Sequence, residues 1–377
     1  MITPSRIAMA RKRRFLTLAE LSEKTKIAVP NLSKYENGKQ EPSEETLRRL
    51  AAALNFPLSF FHQPDLDPIG QDAVSFRARS KLAAGARDAA LTASRFAVEL
   101  HRWIDERYRL PPNDLPTLGK PDPETAAEMV RARWGLGNAP ISNMVHLLEA
   151  HGVRVFSLPP EFADINAFAH WRDGTPFVFL NTMTTPERGR FDAAHELGHL
   201  VLHGDERSFM GPEAEKEANA FASAFLMPQS AVIAHMPENP LVEQIIAGKG
   251  NWNVAAMALT YRLHDLGMMT DWHYRRTCIV LGERGYRRGE PRGMASRETS
   301  QLLDKVIRGQ RAKGVGLADI ARELHVTTEE LGSWVFGLVI TGRTGDNSGG
   351  PRPDGRPSLR LVPPATSTPQ LRKVRVR

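Results

Sequence analysis

The chain has 377 residues, of which 41% are hydrophobic and 25% charged, an ordinary globular composition too long for one compact core, so two or three domains are expected. No apolar run reaches the roughly 18 to 20 residues needed to span a bilayer, and Arg11, Lys12, Arg13 and Arg14 are followed by no apolar stretch of signal-peptide type, which reads as a cytoplasmic protein without a membrane partner. The net charge of +7 sits at the ends: residues 1–62 carry eleven Lys/Arg against six Asp/Glu, residues 343–377 carry eight against two, and the stretch between is left at −4, which suits a polyanion-binding head, a body with another task and a solvated tail.

In chain order, the spacing predicts a helix over 17–26, a short turn at Ile27-Ala28 and a second helix over 29–36, where Pro30 falls in the first turn and its missing N–H costs little. Leu21, Ile27, Leu32 and Tyr35 then point to a shared core. A further amphipathic helix follows over 44–54, with Ser43 as N-cap and Glu44 and Glu45 in its first turn. Segments 63–70 and 110–123 are proline-rich breaks around an Ala/Leu/Arg-rich stretch, 79–109, with helical spacing. From 124 the pattern becomes α+β: helical stretches over 124–134 and 142–151, strand-like runs over 152–158, 166–171 and 176–181, then helices from about Arg188 and Pro212. Helices continue over 254–263 and much of 296–340, and Trp252, Trp272, Tyr261 and Tyr274 read as core aromatics. Residues 343–377 form a Gly/Pro/Arg/Ser tail that cannot bury enough apolar surface to fold. The expected division is 1–62 head, 63–123 helical arm with linkers, 124–245 α+β core, 246–342 helical domain and 343–377 disordered basic tail.

Two constellations carry chemistry. In FDAAHELGHL, His195 and His199 stand four residues apart, so on a helix both imidazoles leave one face and can reach one zinc ion at about 2.0 to 2.1 Å. The lone cysteine, Cys278, cannot build a cysteine-rich site, which leaves His, Asp and Glu as ligands. Glu196, beside the first ligand, is placed to take a proton from water as general base and hand it to a leaving amine. A His₂Glu centre needs a third ligand, and the next helix offers Glu213, Glu215 and Glu217. Glu217 is chosen because it borders the apolar stripe of Ala218, Phe221, Ala222 and Phe225; Glu215 is the alternative. His203, one turn beyond His199, is read as a surface or structural histidine outside the ligand set. Asn181, at the end of the third strand, is read as holding the loop into the active helix or fixing a substrate backbone.

The segments TLAELS, NLSKYENG and EPSEETLRRLA resemble the Cro/CI-type (XRE) helix-turn-helix family over about residues 6–60. That resemblance implies a double-stranded DNA operator, read as a homodimer, with Val29, Pro30, Asn31 and Lys34 of the second helix presented to base edges. Arg6, Arg11, Arg13, Lys39 and Arg48 would then contact phosphates. Lys26 stands where that family usually has glycine. The segments PFVFLN, RFDAAHELGHLVLHG and EAEKEANAFASAFLMP resemble the ImmA/IrrE family of metallopeptidases over about residues 124–235. This second resemblance implies a zincin-like fold, Zn²⁺ (with Mn²⁺ as the alternative) held by His195, His199 and Glu217, Glu196 as general base, and a repressor-type protein as substrate. The expectation is a multidomain chain: an all-α helix-turn-helix head, an α+β zincin-like metallopeptidase core, an α-helical C-terminal domain and a disordered tail. It acts as a regulator that cuts a repressor or itself; the competing expectation is a catalytically silent, peptidase-like sensor that controls a DNA-binding repressor.

Overall fold

In the computed structural model of the chain the described residues are 1–69, 75–78, 84–118, 121–204 and 211–339; the tail expected over 343–377 lies outside them. The head is built from α1 (Pro4–Arg13), α2 (Leu18–Thr25), α3 (Val29–Glu36) and α4 (Glu44–Leu54). Local chemistry sets their ends. The Thr17 hydroxyl accepts the Glu20 N–H while the Glu20 carboxylate accepts the Thr17 N–H at 2.7 Å, a reciprocal cap that starts α2. Lys26 ends it in the left-handed region with φ +55°, a conformation that costs a residue with a Cβ about 1 kcal/mol. The chain then passes Ile27, which is buried, and enters α3 with Pro30 in the first turn. Ser43 caps α4 through the Thr46 N–H. Ile7, Leu21, Leu32, Leu47, Leu50 and Leu54 close the core between these helices.

The body is organised on a mixed sheet of order β1-β3-β4-β2, formed by β1 (Ser75–Ala78), β2 (Arg154–Ser157), β3 (Ile165–Arg172) and β4 (Thr175–Leu180). β3 and β4 form an antiparallel hairpin whose two-residue turn, Asp173-Gly174, has positive φ at both positions, the twist-matched turn type that favours glycine. β2 pairs parallel to β4, and β1 adds antiparallel to the free side of β3. α8 (Pro186–Leu202) lies against β3 and β4, and α9 (Pro212–Leu226) packs on α8. α6 (Pro123–Arg133) covers α9, while α7 (Met144–Ala150) sits between α8 and β2. α10 (Gln229–His235), α11 (Val242–Gly248), α12 (Ala256–Asp265) and α13 (Asp271–Glu283) follow, then α14 (Gln301–Ala312), α15 (Leu317–Glu323) and α16 (Thr328–Val335). Among the described residues no helix is long and apolar enough to cross a membrane. The aromatic expectation needs correction: Trp252 is core, but Tyr261 is 50% exposed, on the side of α12 away from its buried Leu259 and Leu263, and Trp272 is 74% exposed, because α13 packs through Thr277 and Leu281 and turns its Trp272 side to solvent.

The remaining helix, α5 (Ala84–Asp105), is one 22-residue element that serves as a spine between the other units. Phe96 packs on Phe56 and Phe60 of the head at 5.8 and 5.6 Å and on Trp334 of α16 at 6.0 Å, while His101 meets Phe177 of β4 edge-on at 5.3 Å. A buried ion cluster reinforces the joint. Arg13 Nε donates to Glu330 Oε1 at 2.6 Å, Arg14 Nη1 to Glu330 Oε2 at 2.7 Å, and Arg13 Nη1 to Glu161 Oε1 at 2.6 Å. The Trp334 indole N–H donates to the same Glu330 carboxylate at 3.2 Å. Glu330 is therefore shared by two cations and an indole, and removing its charge leaves the buried Arg13 with only the part-exposed Glu161 carboxylate. Glu330→Gln is expected to cost about 3 kcal/mol, whereas Glu161→Gln, at a carboxylate that is 43% exposed, should cost under about 1 kcal/mol. Urea denaturation followed by tryptophan fluorescence checks this; coincident midpoints for the two variants would show that the Glu330 cluster carries no stability.

Candidate functional site

α8 starts where Thr185 accepts the Arg188 N–H and Pro186 occupies the first turn. Asn181 holds the loop that leads there, as its position at the strand end suggested: its Nδ2 donates to the Ile165 carbonyl at 2.8 Å and its Oδ1 accepts the Met183 N–H at 2.8 Å. Four-residue spacing brings His195, His199 and His203 to one side of α8, and His195, Glu196 and His199 are all at most 1% exposed. The partner helix comes unusually close because position 198 lacks a Cβ. One built there would lie 3.1 Å from Phe221 Cδ1 and 3.2 Å from the Ala218 backbone.

That approach places three side chains of α9 over the histidines. His195 Nε2 and His199 Nε2 stand 3.0 Å apart, and Glu215 reaches both, with Oε2 3.4 Å from His195 Nε2 and Oε1 3.3 Å from His199 Nε2. A tetrahedral zinc with bonds of about 2.0 to 2.1 Å separates its ligand atoms by about 3.4 Å; the two contacts to Glu215, made by different carboxylate oxygens, lie near that length, and the two imidazole nitrogens stand somewhat closer. The hydrogen-bond partners agree. Asn219 Oδ1 lies 3.1 Å from His195 Nδ1, which places the proton on Nδ1 and turns the Nε2 electron pair toward the cluster. His203 Nε2 donates to Glu217 Oε2 at 2.9 Å, so a neutral His203 accepts the Nδ1–H of His199 at 3.0 Å. Burial holds the His203 pKa below the usual histidine range against the raising effect of Glu217, in keeping with that neutral ring. Two imidazole electron pairs and a carboxylate thus converge on one point, an arrangement that a cation relieves.

Of the acidic residues on α9, the geometry brings Glu215, and not the expected Glu217, beside the His195–His199 pair. Glu217 is turned to His203, and Glu215 is the carboxylate that reaches the Nε2 atoms of both His195 and His199. Glu215 and Asn219 are one turn apart on α9 and share the face above the imidazoles, whereas Glu217 lies about 200° around the helix from Glu215 and meets α8 only at its last turn. Sequence reasoning ranked the carboxylates by their distance from the apolar stripe, which does not determine azimuth. It also left unrecognised the roles of Asn219 and of His203; the signals available were the i, i+4, i+8 run of histidines and the four-residue spacing of Glu215 and Asn219. Beside His203 opens a cleft of about 780 Å³ lined by Leu115, Leu118, Trp171, Leu200 and Gly204 among others.

In the head, Val29 is 38% exposed, Pro30 and Lys34 are exposed and Asn31 is half-buried, so the first turn of α3 faces solvent. The arginines expected at phosphates behave differently. Arg13 is buried in the Glu330 cluster, and Arg6 donates to the Pro64 carbonyl at 2.9 and 2.7 Å. Arg11 grips Glu36 with both nitrogens at 2.7 and 2.8 Å, fastening α1 to α3. Arg11 thus braces α3, while Arg6 and Arg13 are held by the Pro64 carbonyl and by Glu330 and Glu161, and none of the three is presented outward. Lys39 and Arg48 remain exposed, Arg48 beside Glu44 on the surface.

Residues 7–61 match the family model described as helix-turn-helix, and residues 148–264 match the model described as IrrE N-terminal-like domain, a peptidase family. The radiation response metalloprotease IrrE of Deinococcus radiodurans is 37% identical over 84 residues, which cover 18% of this chain and 25% of that protein. The chain thus spans about a quarter of the length of this curated relative.

The close approach at Gly198 supplies a direct test. Gly198→Ala inserts a methyl against α9 and should destabilise by about 1 to 3 kcal/mol. Gly189→Ala, on the same helix with its nearest neighbour at 3.8 Å, should be neutral or stabilising by up to about 1 kcal/mol. Thermal melts of the two variants against wild type give the answer, and equal effects would mean that the helices have room to spare.

Proposed function

We propose that this chain, an XRE-type helix-turn-helix module joined to an IrrE-like metallopeptidase domain, is a DNA-binding regulator whose body is a zinc-dependent endopeptidase acting on a repressor-type protein or on its own chain. The observation that carries the reading is the meeting of His195, His199 and Glu215, with the two imidazole Nε2 atoms 3.0 Å apart and a Glu215 oxygen within 3.4 Å of each, and with Glu196 next in chain to His195. Zinc, when bound, supplies Lewis-acid chemistry that polarises a peptide carbonyl and acidifies water.

The residues of the chain then have distinct tasks. His195, His199 and Glu215 hold the ion, Asn219 and His203 orient the two imidazoles, and the Glu196 carboxylate takes the proton of the attacking water as the new C–O bond forms. As the C–N bond breaks, Glu196 returns that proton to the leaving amine nitrogen. The cleft beside His203 receives substrate side chains, with Trp171 and Leu200 among its walls. The head brings the body to its operator as a homodimer: Asn31 and Lys34 read base edges, and the exposed Lys34, Lys39 and Arg48 region supplies charge. A second reading, a silent metal sensor that controls the head, is favoured by one observation, the buried Arg13–Glu330 cluster that ties the two units into one.

Elemental analysis should find about one zinc per chain in wild type and almost none in His199→Ala or Glu215→Ala. Glu196→Gln should keep the metal and lose all cleavage of a helix-turn-helix repressor incubated with it, as read by mass spectrometry; wild type that holds zinc yet leaves every candidate substrate intact supports the sensor. Full-length protein should bind DNA less tightly as salt rises, and Asn31→Ala should erase operator preference while sparing non-specific binding. Binding that ignores salt would move the head into the protein-interaction class.

A further inference from the structure

The two histidines of the cluster are backed unequally. Behind His195 stands the neutral amide of Asn219, with Oδ1 3.1 Å from Nδ1. Behind His199 stands a second imidazole and, beyond it, a carboxylate: His199 Nδ1 to His203 Nδ1 is 3.0 Å, and His203 Nε2 to Glu217 Oε2 is 2.9 Å. The His203 side chain is only 6% exposed, so water does not substitute for it, whereas Glu217 is 42% exposed. Each link also sets the tautomer of the next. Glu217 accepts from His203, His203 therefore accepts from His199, and His199 is left with its electron pair on Nε2, 3.0 Å from His195 Nε2 and 3.3 Å from Glu215.

We infer that His203 and Glu217 form a relay behind His199 that sets how tightly the centre holds its metal, and that both are positioning residues acting through His199. The inference rests on the metal reading of the site given above. An anion two hydrogen bonds behind an imidazole raises the basicity of its far nitrogen and locks the ring in its ligating orientation, effects that in other centres change metal affinity by about 10- to 100-fold. The relay also gives Glu217 a task without making it a ligand, and it gives α9 three contributions to one centre: Glu215 to the ion, Asn219 to His195, and Glu217, through His203, to His199.

The test is the zinc dissociation constant of the full-length protein, measured by competition with a chromophoric chelator at neutral pH. His203→Ala and Glu217→Gln should each bind zinc about 10- to 100-fold more weakly than wild type while still reaching the wild-type zinc content at saturation. The double variant should bind no more weakly than His203→Ala, because the parts act in series. Lys216→Ala, beside Glu217 in the chain, should bind as wild type does. The visible spectrum of the cobalt-loaded protein should shift in His203→Ala, a change that a merely structural histidine does not produce. Glu217→Gln alters a part-exposed side chain isosterically, so the measurement stands even if His203→Ala folds poorly. Unchanged affinity in Glu217→Gln and His203→Ala, with tight wild-type binding, overturns the relay alone. Loss of all zinc from Glu217→Gln at saturation makes Glu217 a ligand and overturns it as well. Wild type that binds no zinc overturns the metal reading and the relay together.

Discussion

Where α8 and α9 touch at Gly198, a Cβ would press on Phe221 and the Ala218 backbone at 3.1 to 3.2 Å, and the arrangement of the candidate centre depends on that close contact. From this seam a single 15-residue helix addresses three histidines. Ala218, Phe221, Ala222 and Phe225 fill the seam beneath the polar groups, so the approach is driven by apolar burial, and the polar cluster is carried along with it. The packing therefore precedes the chemistry: small residues on the seam bring the backbones together, and the donor triangle follows from their distance.

A different constraint joins the head to the body. Glu330 is buried with two arginines on it, and α5 runs beside the same joint with Phe96 against both sides. Charges placed so deep are stable only as a complete set, since an unpaired member costs several kcal/mol. The head thus sits as a fixed extension of the body with the first turn of α3 turned outward. Part of its basic composition is spent internally on Glu36, Glu330 and the Pro64 carbonyl. Attraction to a polyanion must come from the exposed remainder, among them Lys24, Lys26, Lys34 and Lys39.

Much of the architecture is legible in short stretches of chain. Thr17 with Glu20, Ser43 ahead of two glutamates, and the short apolar runs over 166–171 and 176–181 are signals that act within a few residues, and the elements they announce are the ones that form. The pairing of His195 with His199 is of the same kind, because a four-residue step on a helix fixes a common face whatever surrounds it. The 22-residue α5 was less legible: its alanine-rich pattern announces a helix, but nothing local says that it will be buried between three other units. The choice between Glu215 and Glu217 depended on the azimuth at which α9 docks, Arg13 on a carboxylate 317 positions away, and Trp272 on which side of α13 finds a neighbour. The sequence by itself determined which helices form and which residue types they carry, since those follow from forces between near neighbours in the chain. Only the tertiary structure decided which of those residues meet, because a contact between two helices is set by their separation and rotation, and these are settled by the packing of the whole core.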